Sequence, residues 1–493
     1  MVGPKAWQFA AGSAVVGLTL AAVVVAATGP WDSGQRKAER EWAVAQSRTG
    51  GADHDGSAPR APAPAPSAAA VLAELGGAGT TTAGQGKASG GQTPGRPARL
   101  PPELAPRLAK TLGPLLDADA LGPVRTASVV DVATGERLYG KGEGDPMTPA
   151  STVKIATMVA ALSALGPDHR IATTVRATPD GRRITLVGGG DATLDREGLA
   201  RLADDTVRAL RDRGVAKVEL RYDTSLYSGP REHPIGPNDN IAPVVALMSR
   251  QGRLDTSTGG PAPRSGNPAG DAARVYAALL RERGVRTTGA PERSRAPKGS
   301  QLLARIHSSP LSALVERALT ESDNDIAESL ARQTALAAGE PASFDGAGRA
   351  VLDRLRKLEL PVRGAVLDDG SGLDRADRVS ASLLTALLVR AASPDHPELR
   401  PVLTGLPVAR FTGTLRTRYA DAPSAAGLVR AKTGTLSGVN TLAGTAVDAG
   451  GRLLAFAFMA GSTEAPDTAQ AALDRLSAAL VPAGDPDAGR RGR

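Results

Sequence analysis

Apolar residues fall into three regimes along the chain. Phe9 to Thr28 is apolar or small and uncharged, and follows a short segment whose one charged side chain is Lys5. About 20 such residues suffice to cross a bilayer as a helix, and a basic start before an apolar stretch is also the pattern of a secretory signal. Residues 1–31 are therefore expected to be a membrane anchor or signal segment, the length of the apolar run favouring an anchor. Either places the rest of the chain outside the cytoplasm. Residues 32–100 carry few large apolar side chains and include Ala61-Pro62-Ala63-Pro64-Ala65-Pro66 and Gly76-Gly77-Ala78-Gly79. Such a stretch cannot bury enough surface to offset its conformational entropy and is expected to be a disordered spacer.

Periodic patterns return from about Leu100. Leu104 to Leu115 has helical amphipathicity, and Thr126 to Val132 and Arg137 to Tyr139 are strands around an Ala133-Thr134-Gly135-Glu136 turn. Near the far end, Gly427 to Lys432, Asn440 to Val447 and Arg452 to Met459 are strands, followed by a helix from about Ala465 to Leu480. Strands at both ends enclose a helical middle, which predicts one shared, mainly antiparallel sheet and an α+β class. Residues 170–300 carry short strands (Arg183 to Val187, Lys217 to Leu220) among Gly-, Pro- and Arg-rich loops. They are expected to form an inserted β-containing subdomain, with 101–169 and 301–482 forming the main domain and 483–493 a basic tail.

Composition narrows the chemistry. Lys and Arg number 59 against 51 Asp and Glu, a net charge of +8 dispersed over 493 residues, with 3% aromatics. Neither a concentrated basic face nor a stacking platform is present, so no nucleic-acid partner is expected. The absence of Cys excludes disulfides and thiolate nucleophiles. The five His, at 54, 169, 233, 307 and 396, form no His-Glu-x-x-His pair, and no Gly-x-Ser-x-Gly elbow occurs. No metal or cofactor is expected.

Three short motifs remain. Pro149-Ala150-Ser151-Thr152-Val153-Lys154 opens a helix with an apolar face at Ile155, Met158, Val159 and Leu162. A serine hydroxyl is a poor nucleophile until a base takes its proton, and a lysine one turn away can do so if burial makes it neutral. The bland alternative is a cap and a solvated lysine. Ser322-Asp323-Asn324 sets a hydroxyl and an amide two positions apart, or else caps a helix. Lys432-Thr433-Gly434-Thr435 ends a strand with a cation, hydroxyls and a glycine that permits close backbone approach, or is a plain edge and turn.

In this order, Ser-x-x-Lys, Ser-x-Asn and Lys-Thr-Gly resemble the constellation of penicillin-binding proteins and serine β-lactamases. Ser151 and Ser322 lie 171 positions apart, and Ser322 and Lys432 lie 110 apart. The long first interval is similar to that of the D-alanyl-D-alanine carboxypeptidase/endopeptidase family, the low-molecular-mass class C penicillin-binding proteins. Gly188-Gly189-Gly190-Asp191, Asp369-Gly370-Ser371-Gly372-Leu373-Asp374-Arg375 and Gly413-Thr414-Leu415-Arg416 add to the likeness. The resemblance implies a β-lactamase/transpeptidase-like sheet flanked by helices. It implies acylation of Ser151, with Lys154 as base, Ser322 as proton relay, Asn324 holding the substrate amide and Lys432 supplying positive potential. Thr433, Gly434 and Thr435 would meet the terminal carboxylate and backbone of the substrate. Ser371, Arg375 and Asp239 would recognise the free end of diaminopimelate. The implied partners are peptidoglycan stem peptides, β-lactams as inhibitors, and the membrane through residues 1–31. A slow scaffold or sensor of the same family is the alternative.

Overall fold

The computed structural model describes residues 101–481. The expected anchor, spacer and basic tail lie outside the described residues. No helix among the described residues is long and apolar enough to cross a membrane.

Helix α1 (Leu104–Leu116) buries Leu104, Leu108, Leu112 and Leu116, a stripe at four-residue spacing. Strands β1 (Val124–Asp131) and β2 (Arg137–Lys141) form the expected hairpin. Its turn is fixed by Asp131, whose Oδ1 accepts the Thr134 N–H at 2.8 Å, and by Gly135 at φ +73°. Helix α2 (Lys154–Leu165) follows a 3-10 turn over Ala150–Val153 and is buried continuously from Lys154 to Leu162.

The second sheet then begins with β3 (Ala172–Ala177) and β4 (Arg183–Val187). Helix α3 (Arg196–Arg211) leads to β5 (Lys217–Asp223), and α4 (Pro268–Glu282) leads to β6 (Arg286–Arg293) and β7 (Gln301–His307). The spatial order is β6-β5-β4-β3-β7. Strand directions are mixed here, and the expected bound at residue 300 changes. The pairs β4–β5 and β5–β6 are parallel, because α3 and α4 provide the crossovers that parallel neighbours need. The sheet also runs past residue 300, since β7 pairs with β3 and carries the inserted layer to His307.

Helices α5 (Leu311–Thr320), α6 (Asn324–Ala338), α7 (Phe344–Lys357), α8 (Ala381–Ala392) and the single-turn α9 (Pro401–Thr404) make the helical middle. The chain returns as β8 (Val429–Leu436), β9 (Val439–Val447), β10 (Leu453–Gly461) and α10 (Pro466–Ala478). The first sheet has the order β2-β1-β10-β9-β8, antiparallel throughout. Strand β10 is apolar along its length because both faces are covered. Leu454, Phe456, Phe458 and Ala460 join the layer of α1 and α10, while Ala455, Ala457 and Met459 join that of α2 and α8.

Candidate active site

The 3-10 turn before α2 places Ser151 and Lys154 three residues apart, where side chains eclipse. Lys154 Nζ lies 3.0 Å from Ser151 Oγ. It also donates to Asn324 Oδ1 at 2.7 Å and to the Ser371 carbonyl at 2.6 Å. The side chain is completely buried. Burial pushes its ammonium down to about 8, against the charges of Asp369 and Glu328, which pull it back up.

The turn is tightly built. Ala150 has φ +47°, a left-handed conformation that costs a non-glycine residue energy and clusters at functional sites. Two glycines make room beside it. A Cβ on Gly372 would lie 2.0 Å from the Ala150 carbonyl oxygen. A Cβ on Gly434 would lie 2.7 Å from the Pro149 carbonyl oxygen and 2.1 Å from Thr441 Oγ1. Gly434 thus admits the protein's own Pro149–Ser151 turn against β8, where the sequence suggested approach by substrate backbone.

Ser322 sits in the loop before α6, also left-handed at φ +56°. Asp323 caps α6 by accepting the Ile326 N–H at 3.0 Å, so the cap reading is correct for the middle residue of the motif. Asn324 Nδ2 donates to the Asn240 carbonyl at 3.0 Å. Lys432, buried within β8, donates to Ser322 Oγ at 2.9 Å and to the Thr433 carbonyl at 2.7 Å. Burial, and then the neighbouring Lys154 charge, hold its ammonium well below the usual lysine range. Ser151, Lys154 and Asn324 therefore form one hydrogen-bonded group and Ser322 and Lys432 a second.

A cleft of about 270 Å³ opens over both groups, lined among others by Ser151, Ser322, Asn324, Thr435, Thr414 and Asn240. Thr433 Oγ1 donates to Thr414 Oγ1 at 2.8 Å. Neither Arg375 nor Asp239 is among the described residues that line it. Arg375 is exposed and donates to the Ser437 carbonyl at 3.0 Å, one residue past the end of β8. Asp239 is also exposed, next to the cleft-lining Asn240. Ser371 requires a correction. Its side chain is fully buried and donates to Asp369 Oδ2 at 2.9 Å, so its hydroxyl cannot meet a substrate; its carbonyl faces Lys154.

Three groups went unassigned in the sequence. Thr414 and Asn240 act through a hydroxyl and a backbone carbonyl on distant loops. Arg264 pairs with Asp325 at 2.8 Å in a nearly dry contact that fastens the cleft-side loop to α6. Asp325 directly follows the Ser-Asp-Asn motif, a position that could have drawn notice.

Residues 108–263 and 254–480 match the D-Ala-D-Ala carboxypeptidase 3 (S13) family. The chain is 39% identical over 393 residues to the carboxypeptidase DacB of Mycolicibacterium smegmatis, spanning 76% of this chain and 83% of that one. The chain belongs to the D-Ala-D-Ala carboxypeptidase 3 (S13) family. It is also 28% identical over 436 residues to a D-alanyl-D-alanine carboxypeptidase of Actinomadura, covering 68% of this chain and 78% of that one. In fold it is similar to penicillin-binding protein 4 (dacB) of Haemophilus influenzae, with a TM-score of 0.63 at 23% identity, over 76% of this chain and 98% of that one. As an S13 member the chain is a serine-type D-Ala-D-Ala carboxypeptidase of the penicillin-binding class, and the α+β class expected from its strand pattern holds.

Proposed function

We propose that this carboxypeptidase removes terminal D-alanine from peptidoglycan stem peptides outside the cytoplasm, with Ser151 as nucleophile and Lys154 as its base. The surroundings of Lys154 Nζ carry the reading. A neutral amine has two N–H bonds and one lone pair. Asn324 Oδ1 and the Ser371 carbonyl accept the two N–H bonds at 2.7 and 2.6 Å. The lone pair is left to face the Ser151 hydroxyl at 3.0 Å.

The steps follow from that geometry. Ser151 Oγ bonds to the carbonyl carbon of the penultimate D-alanine as its proton moves to Lys154. Backbone N–H groups of Ser151 and Thr435 hold the oxyanion. The C–N bond breaks, and the departing amine takes a proton from the Ser322 hydroxyl, which Lys432 holds at 2.9 Å, while the proton Lys154 took from Ser151 passes to Ser322 in its place and leaves Lys154 neutral. Water then cleaves the acyl ester. Thr433 and Thr435 bind the terminal carboxylate, and Asn324 Nδ2 can take the substrate amide carbonyl by exchanging its Asn240 contact. A cross-link cleaved at the same bond would make the enzyme an endopeptidase by the same chemistry. Arg375, whose guanidinium reaches the Ser437 carbonyl just past β8, grips the carboxylate of diaminopimelate, and Asp239 meets its amine. Residues 1–31 tether the enzyme to the membrane or direct its secretion.

Mass spectrometry of the intact protein after incubation with penicillin tests the reading. One adduct per chain is expected, on the peptide containing Ser151. No adduct, or one on another serine, would overturn it.

A further inference from the structure

One of the three oxygens around Lys154 belongs to the backbone, and its position depends on the turn from Asp369 to Asp374. Asp369 is fully buried, and that turn wraps around its carboxylate. Oδ1 accepts the N–H groups of Ser371 at 3.0 Å and Gly372 at 2.5 Å. Oδ2 accepts the N–H groups of Leu373 and Asp374, and the Ser371 hydroxyl, each at 2.9 Å. Glu328, one turn along α6 from Asn324, accepts the Gly370 N–H at 2.9 Å.

A second chain segment ties this carboxylate down. His233, buried in the stretch between β5 and α4, places Nε2 2.8 Å from Asp369 Oδ2. The Ile235 N–H points at Nδ1 from 3.3 Å, which fixes the tautomer with its proton on Nε2, so the ring donates to Asp369. Phe344 packs edge-on against the imidazole, with centroids 5.3 Å apart and planes at 89°. Neither Asp369 nor His233 bonds to Ser151, which the turn reaches only through the Ser371 carbonyl, 3.5 Å from Ser151 Oγ.

We infer that Asp369, anchored by His233, is a positioning residue that aims the lone pair of Lys154 at Ser151 by fixing the Ser371 carbonyl. The inference rests on Lys154 being the base. Nζ can turn about its last bond, and it stops turning only while both acceptors stay in place. If the turn relaxes, the carbonyl recedes, one N–H bond seeks another oxygen and the lone pair swings off the hydroxyl. Displacements of about 1 Å in such arrangements cost roughly 10²-fold in rate.

The test measures penicillin acylation on the full chain, separating the acylation rate constant, the dissociation constant of the preceding complex and the final adduct stoichiometry. Asp369→Asn keeps the shape but turns one acceptor oxygen into a donor facing N–H groups. It should slow acylation by roughly 10²-fold, with the dissociation constant within about threefold of wild type and still one adduct per chain. His233→Phe keeps a ring and removes the donor, and should cost roughly tenfold, whereas His233→Gln returns an N–H and should recover most of that. If Asp369→Asn fails to fold, the His233 pair decides alone. Wild-type rates in the variants would overturn the inference. So would a reduced labelled fraction whose reactive chains still acylate at the wild-type rate, since that marks a structural role. Failure of Ser151 labelling in the wild type would instead remove the underlying assignment of nucleophile and base.

Discussion

The rate of acylation should follow the proton on Lys154. Burial is what lowers this amine, to about 8 from an ordinary 10.5. At pH 7 an amine titrating near 8 is neutral in about one molecule in ten, against roughly three in ten thousand for an ordinary lysine. Burial therefore enlarges the reactive fraction about 300-fold, equivalent to about 3 kcal/mol. The sign follows from the role: a base acts after losing its proton, so the rate constant should climb about tenfold per pH unit below 8 and level off above it. Stopped-flow acylation by a fluorescent penicillin between pH 6 and 9 reads this directly. Lys154→Ala should lose roughly 10²–10⁴-fold and with it the climb through pH 8. Lys432→Ala leaves the three oxygens around Lys154 in place, so it should lower the rate less at saturation and keep the climb. A flat wild-type profile, or equal losses with the same profile in both variants, would refute the assignment of base.

Three further outcomes are expected. Gly434→Ala should cost about 1–3 kcal/mol in thermal or denaturant unfolding and slow acylation more than tenfold, because its Cβ would meet the Pro149 carbonyl and Thr441. A variant as stable and reactive as wild type would contradict that packing. Arg264→Leu leaves Asp325 buried without its partner and should destabilise the chain by about 3–5 kcal/mol in denaturant titration. Arg375→Ala should reduce kcat/KM at least tenfold more on peptides ending in diaminopimelyl-D-alanyl-D-alanine than on a small thioester, and a uniform loss would remove its recognition role.

Features set by short-range pattern were legible in the sequence. The β1–β2 hairpin, the β9–β10 hairpin and the leucine stripe of α1 each follow from a few neighbouring residues. The side chains that come together at the cleft could also be read, since hydroxyl, amine and amide chemistry leaves a short list of candidates. The rest depends on contacts that spacing does not encode. The sequence gives Ser371 a hydroxyl and no hint that its carbonyl is the group in use. Asp369 reads as a turn residue until His233 arrives from far along the chain. Gly434 is a glycine for any reader, but that its neighbour is the Pro149 carbonyl follows only from the two segments meeting. The reach of the second sheet to His307 likewise depends on β7, a largely exposed strand, returning to β3.

The pairing of β1 with β10 bears on how the enzyme is made. Val124 lies opposite Gly461 and Asp131 opposite Leu454, so an early strand of the described region finds its central neighbour near the end of that region. Until that neighbour is synthesised, β1 has the hairpin partner β2 on one side and an open, apolar edge on the other, a form prone to aggregate. Such distant pairings also slow folding. A chain threaded across a membrane from its N-terminus would present this edge for most of its passage, and Lys154 and Lys432 could not come together until β8 had followed. The protein is therefore expected to lean on holding chaperones during export, and truncation before Leu453 should yield insoluble chain rather than a weakly active enzyme.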